Sequence, residues 1–193
     1  MAKKVSPTPI TSSGLIGPYS LADLIKHKMD KNTKHSGVYV WGVLHKTTYY
    51  PIYVGKGGNI CERLFQHIIR FNGGEYLIPA KDEIVNPNRN YPSLKKSYLK
   101  NKTLSKELLH FPTGSFDFDT FDKSKEITKA RKFVRTNFFA CWKVLPNYTD
   151  ELSAIEEGNL ANSIGRQKLI GTRYKASNGN LTFINDFLSL NFE

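Results

Sequence analysis

Residues 37–70 constrain the fold more than any other stretch. Val38-Tyr39-Val40-Trp41 and the residues through Leu44 are β-branched, aromatic or apolar, 45–50 form a polar connection, and Pro51-Ile52-Tyr53-Val54 resumes the β pattern. This predicts a hairpin with strands near 37–45 and 50–54, broken by Gly55, Gly57 and Gly58. Asn59 with Glu62 three residues on is a capping-box-like helix start. Ile60, Leu64, Phe65, Ile68 and Ile69 then form an apolar stripe at helical spacing, which leaves Arg63, His67 and Arg70 to other faces. A hairpin followed at once by an amphipathic helix requires a sheet with a helix laid on it.

The rest of the chain extends that plan. Residues 1–19, rich in Pro, Ser, Thr and Gly, read as a flexible arm. Ser20 caps a short helix that stops before Asn32. In 72–113 a turn precedes a short strand at 76–79 and two weak helical patterns, at 93–100 and 104–111. Residues 116–121 read as a short strand, 125–136 as a basic helix, and 137–146 as a buried strand ended by Pro146. Thr149 or Asp150 caps a helix through Ile164 with Gly165 as its stop. The expected fold class is α+β, a small antiparallel sheet flanked by helices. A domain over 20–165 carries a mixed insertion at about 72–137, and 166–193 form its C-terminal extension.

With 193 residues, 39% of them apolar, the chain can bury one core. Cys61 and Cys141 are its two cysteines and neither has CxxC or zinc-ligand spacing, which fits a reducing compartment without disulfides. The first residues carry no apolar core of a secretion signal, and no run of eighteen apolar residues occurs. A cytoplasmic protein of a prokaryote or phage, with no membrane partner, is expected. The formal charge of +11 favours polyanionic partners, nucleic acid first. The cations are scattered, as in the pairs Lys95-Lys96 and Arg131-Lys132, so no detached basic tail carries them.

Several chemistries are excluded by inspection. Gly55-Lys56 does not make a P-loop, because Tyr50 stands where the first glycine belongs and Gly57 follows the lysine. HExxH and Gly-x-Ser-x-Gly are absent, and none of the 17 acidic residues stands two before a lysine, as metal-dependent restriction nucleases often require. What survives is a constellation on the best-formed elements. Tyr39 and Tyr53 lie fourteen residues apart across the hairpin, Lys56 ends it, Arg63 and His67 sit one turn apart on the helix, and Glu156-Glu157 occupy the later helix.

The order Gly37-Val38-Tyr39, then Tyr53-Val54-Gly55-Lys56, then a helical Arg63 with His67 four residues on, then Glu157-Gly158-Asn159-Leu160 resembles the GIY-YIG nuclease family, its restriction endonucleases in particular. The resemblance covers 37–70 and 138–165. It implies a divalent-metal-dependent DNA endonuclease that hydrolyses phosphodiester bonds. Tyr39 would be general base or orient the attacking water, and Tyr53 would hold the phosphate or the water network. A phenol suits the base role only where positive charge, from Lys56 or a metal, favours the phenolate. Arg63 would offer its planar fork to phosphate oxygens, and His67 would be a second base, a proton shuttle or a phosphate contact. Glu157 would bind one Mg²⁺ (or Mn²⁺), with Glu156 the alternative. The family's asparagine is not at its usual distance, where Lys168 and Leu169 stand, and Asn178 is a substitute.

Each residue also has an ordinary explanation: tyrosines favour strands, and arginines and histidines commonly decorate helices. Trp41, Trp142, Phe138 and Phe139 could stack on bases, but strands this apolar favour core packing. Lys129, Arg131, Lys132 and Arg135 on the basic helix are candidate DNA contacts, although such a run is usually a solvated face. Double-stranded DNA is the expected partner, and cutting both strands requires a homo-oligomer or sequential nicking. A non-catalytic DNA-binding protein and a structure-specific repair or mobile-element nuclease are the alternatives.

Overall fold

The structure, a computed structural model, describes residues 15–29, 35–112 and 124–170. β1 (Leu15–Ser20), β2 (Gly37–His45), β3 (Thr48–Gly57) and β6 (Phe138–Val144) form one antiparallel sheet in the order β1-β6-β2-β3. The first seven residues of β2 are all buried, which explains their unbroken apolar run: this strand is central and both its faces are covered. Successive side chains alternate faces. Tyr39, Trp41 and Val43 enter one core, Val38 and Val40 the other.

The hairpin is longer and tighter than its sequence suggests. Lys46 adopts the left-handed conformation (φ 57°) in a two-residue turn, so β3 starts at Thr48. The strand then runs through Gly55 to Gly57 instead of stopping at 54, because these glycines keep their ladder partners: Gly55 faces Tyr39 and Gly57 faces Gly37. Gly55 is required by a close approach, since a Cβ there would stand 2.4 Å from the Tyr39 hydroxyl.

The expected arm is also shorter. Residues 15–20 form β1, whose register with β6 shifts between Ile16 and Tyr19. An irregular segment with Gly17 and Pro18 lacks strand periodicity, but the unpaired edge of β6 supplies the hydrogen bonds that its own pattern does not announce. Residues 1–14 lie outside the described residues.

Helix starts follow their caps. Ser20 and Asp23 exchange hydrogen bonds at the head of α1 (Leu21–Met29). Asn59 accepts from the Glu62 amide at the start of α2 (Ile60–Asn72). Between α2 and β6 the inserted region holds β4 (Ile78–Pro79), α3 (Lys81–Ile84), α4 (Tyr91–Asn101), β5 (Leu108–His110) and α5 (Lys125–Thr136). The helical reading of 104–111 is corrected: Leu108 and His110 pair with β4, and tertiary pairing with buried Ile78 overrides a short helical pattern. The expected strand at 116–121 lies outside the described residues.

Thr149, not Asp150, caps α6 (Asp150–Ile164), and its hydroxyl accepts from the Leu152 amide. A 3₁₀ turn (Arg166–Lys168) follows, and the Ile170 amide bonds the Ile52 carbonyl. α2 and α5 cover the Tyr39 face, with Leu64, Phe71, Ile127 and Val134 in its core. α6 covers the Val38 face through Leu160, Ala161 and Ile164. Buried Arg89 ties the insertion to this frame by donating to the carbonyls of Pro51 and Lys168. The fold is α+β, a small antiparallel sheet flanked by helices, and no helix among the described residues is long and apolar enough to cross a membrane.

Candidate active site

Side chains from β2, β3 and α2 meet over the α2 face of the sheet. Tyr39 and Tyr53 stack with ring centroids 6.5 Å apart, and Tyr53 lies 4.3 Å from the His67 ring. His67 is not on an outer face of α2 as its position beside the apolar stripe suggests. It is 7% exposed, whereas Ile69, expected in the stripe, is 66% exposed. The stripe is rotated: Cys61, Leu64, His67 and Phe71 face the sheet, and hydrogen bonds make a buried imidazole affordable there.

Both nitrogens of His67 are engaged. Nε2 is 2.6 Å from the Tyr39 hydroxyl and Nδ1 is 2.6 Å from that of Tyr76, in the loop after α2. This corrects the reading of His67 as a phosphate contact, because neither nitrogen is left to meet a phosphate oxygen. Burial, then Arg63 and Arg70, pushes its pKa down to about 4, so the ring is neutral at pH 7. Burial raises the Tyr39 pKa well above that of a free phenol, with Tyr53 adding to it, while Arg63 opposes the shift. Burial likewise pushes Tyr53 up to about 12. Both phenols are therefore protonated at neutral pH.

The charged members surround this cluster from two sides. Arg63 is exposed on α2, its Nη1 donates to Gln66 at 2.8 Å, and its stem passes over Gly57, where a Cβ would lie 2.9 Å from the arginine Cγ. Lys56 points to the opposite face and binds α6 instead of the phenols: Nζ is 2.9 Å from the Asp150 carbonyl and 3.1 Å from its carboxylate. Asp150 is 90% exposed, so this pair is weak and easily exchanged.

Glu157 comes from α6 as well, and its charge, like that of Arg63, bears on both Tyr39 and Tyr53. Desolvation raises its pKa to about 7, against the opposing pull of Lys56. Glu156 is instead paired with Lys143 at 3.8 Å and does not bear on either phenol's titration. Geometry thus separates two carboxylates that sequence leaves open, and it brings Tyr39, Tyr53, His67, Arg63 and Glu157 to one edge of the sheet.

Among the described residues no group of three or more His, Cys, Asp or Glu gathers as a metal site. A lone half-buried carboxylate has the donor chemistry of a hard cation that keeps most of its water, not that of a multi-ligand zinc centre.

The basic helix α5 contacts α2 but contributes nothing to the tyrosine–histidine cluster. Lys129 pairs with Glu126 at 2.7 Å, Arg131 is half-buried, and Lys132 and Arg135 are exposed. Trp41, Trp142 and Phe138 are buried and Phe139 half-buried, so core packing is their role. Asn178 lies outside the described residues. Sequence reasoning missed Tyr76 and the role of Arg70: nothing in a turn tyrosine signals that the chain folds it back onto a helix one turn away. No family model, no curated protein and no solved structure matches the chain.

Proposed function

We propose that the protein is a divalent-metal-dependent DNA endonuclease of GIY-YIG type, acting on double-stranded DNA in the manner of a restriction enzyme. The observation that supports this reading best is the convergence at one sheet edge of two stacked tyrosines, a buried histidine, an exposed arginine and a half-buried carboxylate, drawn from three separate segments of a basic chain.

Phosphodiester hydrolysis needs an oriented water, neutralisation of the phosphate and stabilisation of the departing oxygen. Arg63 supplies the planar donors for the phosphate, free to exchange Gln66 for a phosphate oxygen. Lys56 can leave its weak pair with Asp150 for the same charge. Tyr39, whose phenolate is disfavoured by burial, orients the water as a neutral phenol instead of acting alone as its base. Tyr53 holds the ring of His67 in place and lines the water site. Glu157 would hold one Mg²⁺ or Mn²⁺, which supplies charge stabilisation at the leaving oxygen when bound. Ionisation of Glu157 near pH 7 then favours cation binding at neutral to alkaline pH.

The test is cleavage of plasmid and linear duplex with and without Mg²⁺. Arg63→Ala and Glu157→Ala are expected to lose about 10²-fold or more in rate, with Tyr39→Phe also impaired. Mapping the ends on a long DNA of known sequence separates discrete sites, expected here, from cuts limited to branched structures. Salt-sensitive binding without cleavage under any metal would favour a DNA-binding protein on this scaffold.

A further inference from the structure

A neutral imidazole carries one N–H, so of the two hydroxyls that flank His67 one receives a hydrogen bond and the other gives one. His67 is neutral, and the groups bearing on it are the phenols of Tyr39, Tyr53 and Tyr76 and the guanidiniums of Arg63 and Arg70. What breaks the symmetry is Arg70. Its side chain bonds the Tyr76 oxygen, and its Nε also lies 3.5 Å from the Glu75 carboxylate. Arginine has donors only, so the Tyr76 oxygen accepts from Arg70 and its hydroxyl proton is left to give.

Two arrangements fit the distances. In one, Nδ1–H also donates to Tyr76, which then takes two donors and must find another acceptor for its own proton. In the other, Arg70 donates to Tyr76, Tyr76 to Nδ1, and Nε2–H to Tyr39. Each link then polarises the next in one direction, and every buried donor has an acceptor.

We propose that Tyr76, held by Arg70, is a positioning residue that fixes His67 as its Nε2–H tautomer, so that the Tyr39 oxygen receives a hydrogen bond from the ring and its own proton turns toward the open edge of β3. The Tyr39 hydroxyl lies over Gly55, where no side chain intervenes. An N–H aimed at that oxygen stabilises any negative charge it takes up, which offsets part of the cost of burial. The tautomer stands apart from the nuclease reading; only its consequence for cleavage rests on that reading.

The experiment is ¹⁵N–¹H correlation of imidazole resonances in the full-length protein, labelled at its five histidines, at neutral pH without metal, with His67→Gln used to assign the signal. The wild type is expected to show a protonated Nε2 and a bare Nδ1 at His67. Tyr76→Phe, which deletes the donor to Nδ1, should move the ring to Nδ1–H or to a mixture while the other histidines keep their signals, and Arg70→Met should move it the same way by less. A wild-type Nδ1–H tautomer, or a His67 signal unchanged in Tyr76→Phe, overturns the assignment. The wild-type spectrum decides the tautomer even where Tyr76→Phe does not fold. In cleavage assays Tyr76→Phe should lower kcat roughly tenfold or more with KM unchanged, and an unchanged kcat overturns the positioning role. A wild type that cleaves no DNA defeats the nuclease reading and leaves the tautomer result standing.

Discussion

The two faces of the sheet treat polar groups in opposite ways. On the α2 face the hydroxyls of Tyr39 and Tyr76 and both nitrogens of His67 are committed to one another at 2.6 Å, among stacked aromatic rings. On the α6 face Lys56 meets Asp150 at 3.1 Å and Lys143 meets Glu156 at 3.8 Å, pairs formed at the surface, while Glu157 stays half-buried with a raised pKa. The first face is preorganised, because loosening any member leaves a buried polar atom unpaired. The second is adaptable, because its partners exchange with water at little cost. A phosphoryl-transfer site needs both properties, a fixed geometry for the water and mobile charges for the substrate.

The largest effect should come from the aromatic floor of the rigid face. Trp41 stacks on Phe138 at 5.7 Å and Tyr53 at 6.2 Å and meets Phe71 edge-on at 6.1 Å. Trp41→Ala is expected to cost about 3–5 kcal/mol, read from urea unfolding followed by far-ultraviolet circular dichroism. A loss below about 1 kcal/mol would mean that this face is not the packed one. Next comes Gly55→Ala, whose Cβ must displace the Tyr39 ring from 2.4 Å. It should cost about 1–3 kcal/mol and impair cleavage more than its stability loss explains, measured as kcat at saturating DNA on folded protein.

How much of this was legible in the sequence follows the same division. Caps at Asn59 and Thr149, the hairpin, the basic helix and the buried strand 138–144 rest on local chemistry, and they stand where their residues point. Members of the site fixed by strand alternation or helix phase, Tyr39, Tyr53 and Arg63, were legible as well. What was hidden depends on partners distant in the chain. β1 exists because β6 offers it an edge, β5 because Ile78 needs a neighbour, and His67 turns inward because Tyr39 and Tyr76 satisfy it there. The separation of Glu157 from Glu156 is of this kind too, since it depends on where Lys143 lies across the α6 face.

Titration offers a sharper comparison, because the two faces should pull stability in opposite directions. His67 has a pKa lowered from 6.5 to about 4, so the unfolded chain binds its proton more readily. Its contribution is present above about pH 6.5 and is lost as pH falls toward 4. Glu157 has a pKa raised from 4.5 to about 7, so the folded chain holds its proton longer, and stability falls as pH rises from 4.5 to 7. In the wild type the two trends oppose each other between pH 4.5 and 6.5. Measured as urea midpoints in the presence of a chelator, Glu157→Gln should unmask a stability that climbs with pH over this range, and His67→Gln one that declines. The same slope in both variants would refute the separate environments assigned to the two groups.

The smallest effect tests the assignment between neighbouring carboxylates. Glu156 and Lys143 are 24% and 25% exposed at their side chains and 3.8 Å apart, a distance at the outer limit of an ion pair. Glu156→Gln should therefore cost less than about 1 kcal/mol and leave metal-dependent cleavage within about twofold of the wild type. Glu157→Gln places the same chemical change one residue along, at the carboxylate whose charge reaches Tyr39 and Tyr53, and should abolish cleavage while changing stability little at pH 5, where the native glutamate is itself largely protonated. Paired rates for the two variants on one plasmid substrate decide the matter. The reverse ordering would place the cation beside Lys143 on the α6 face, away from the phenols, and would separate the metal from the tyrosine–histidine cluster.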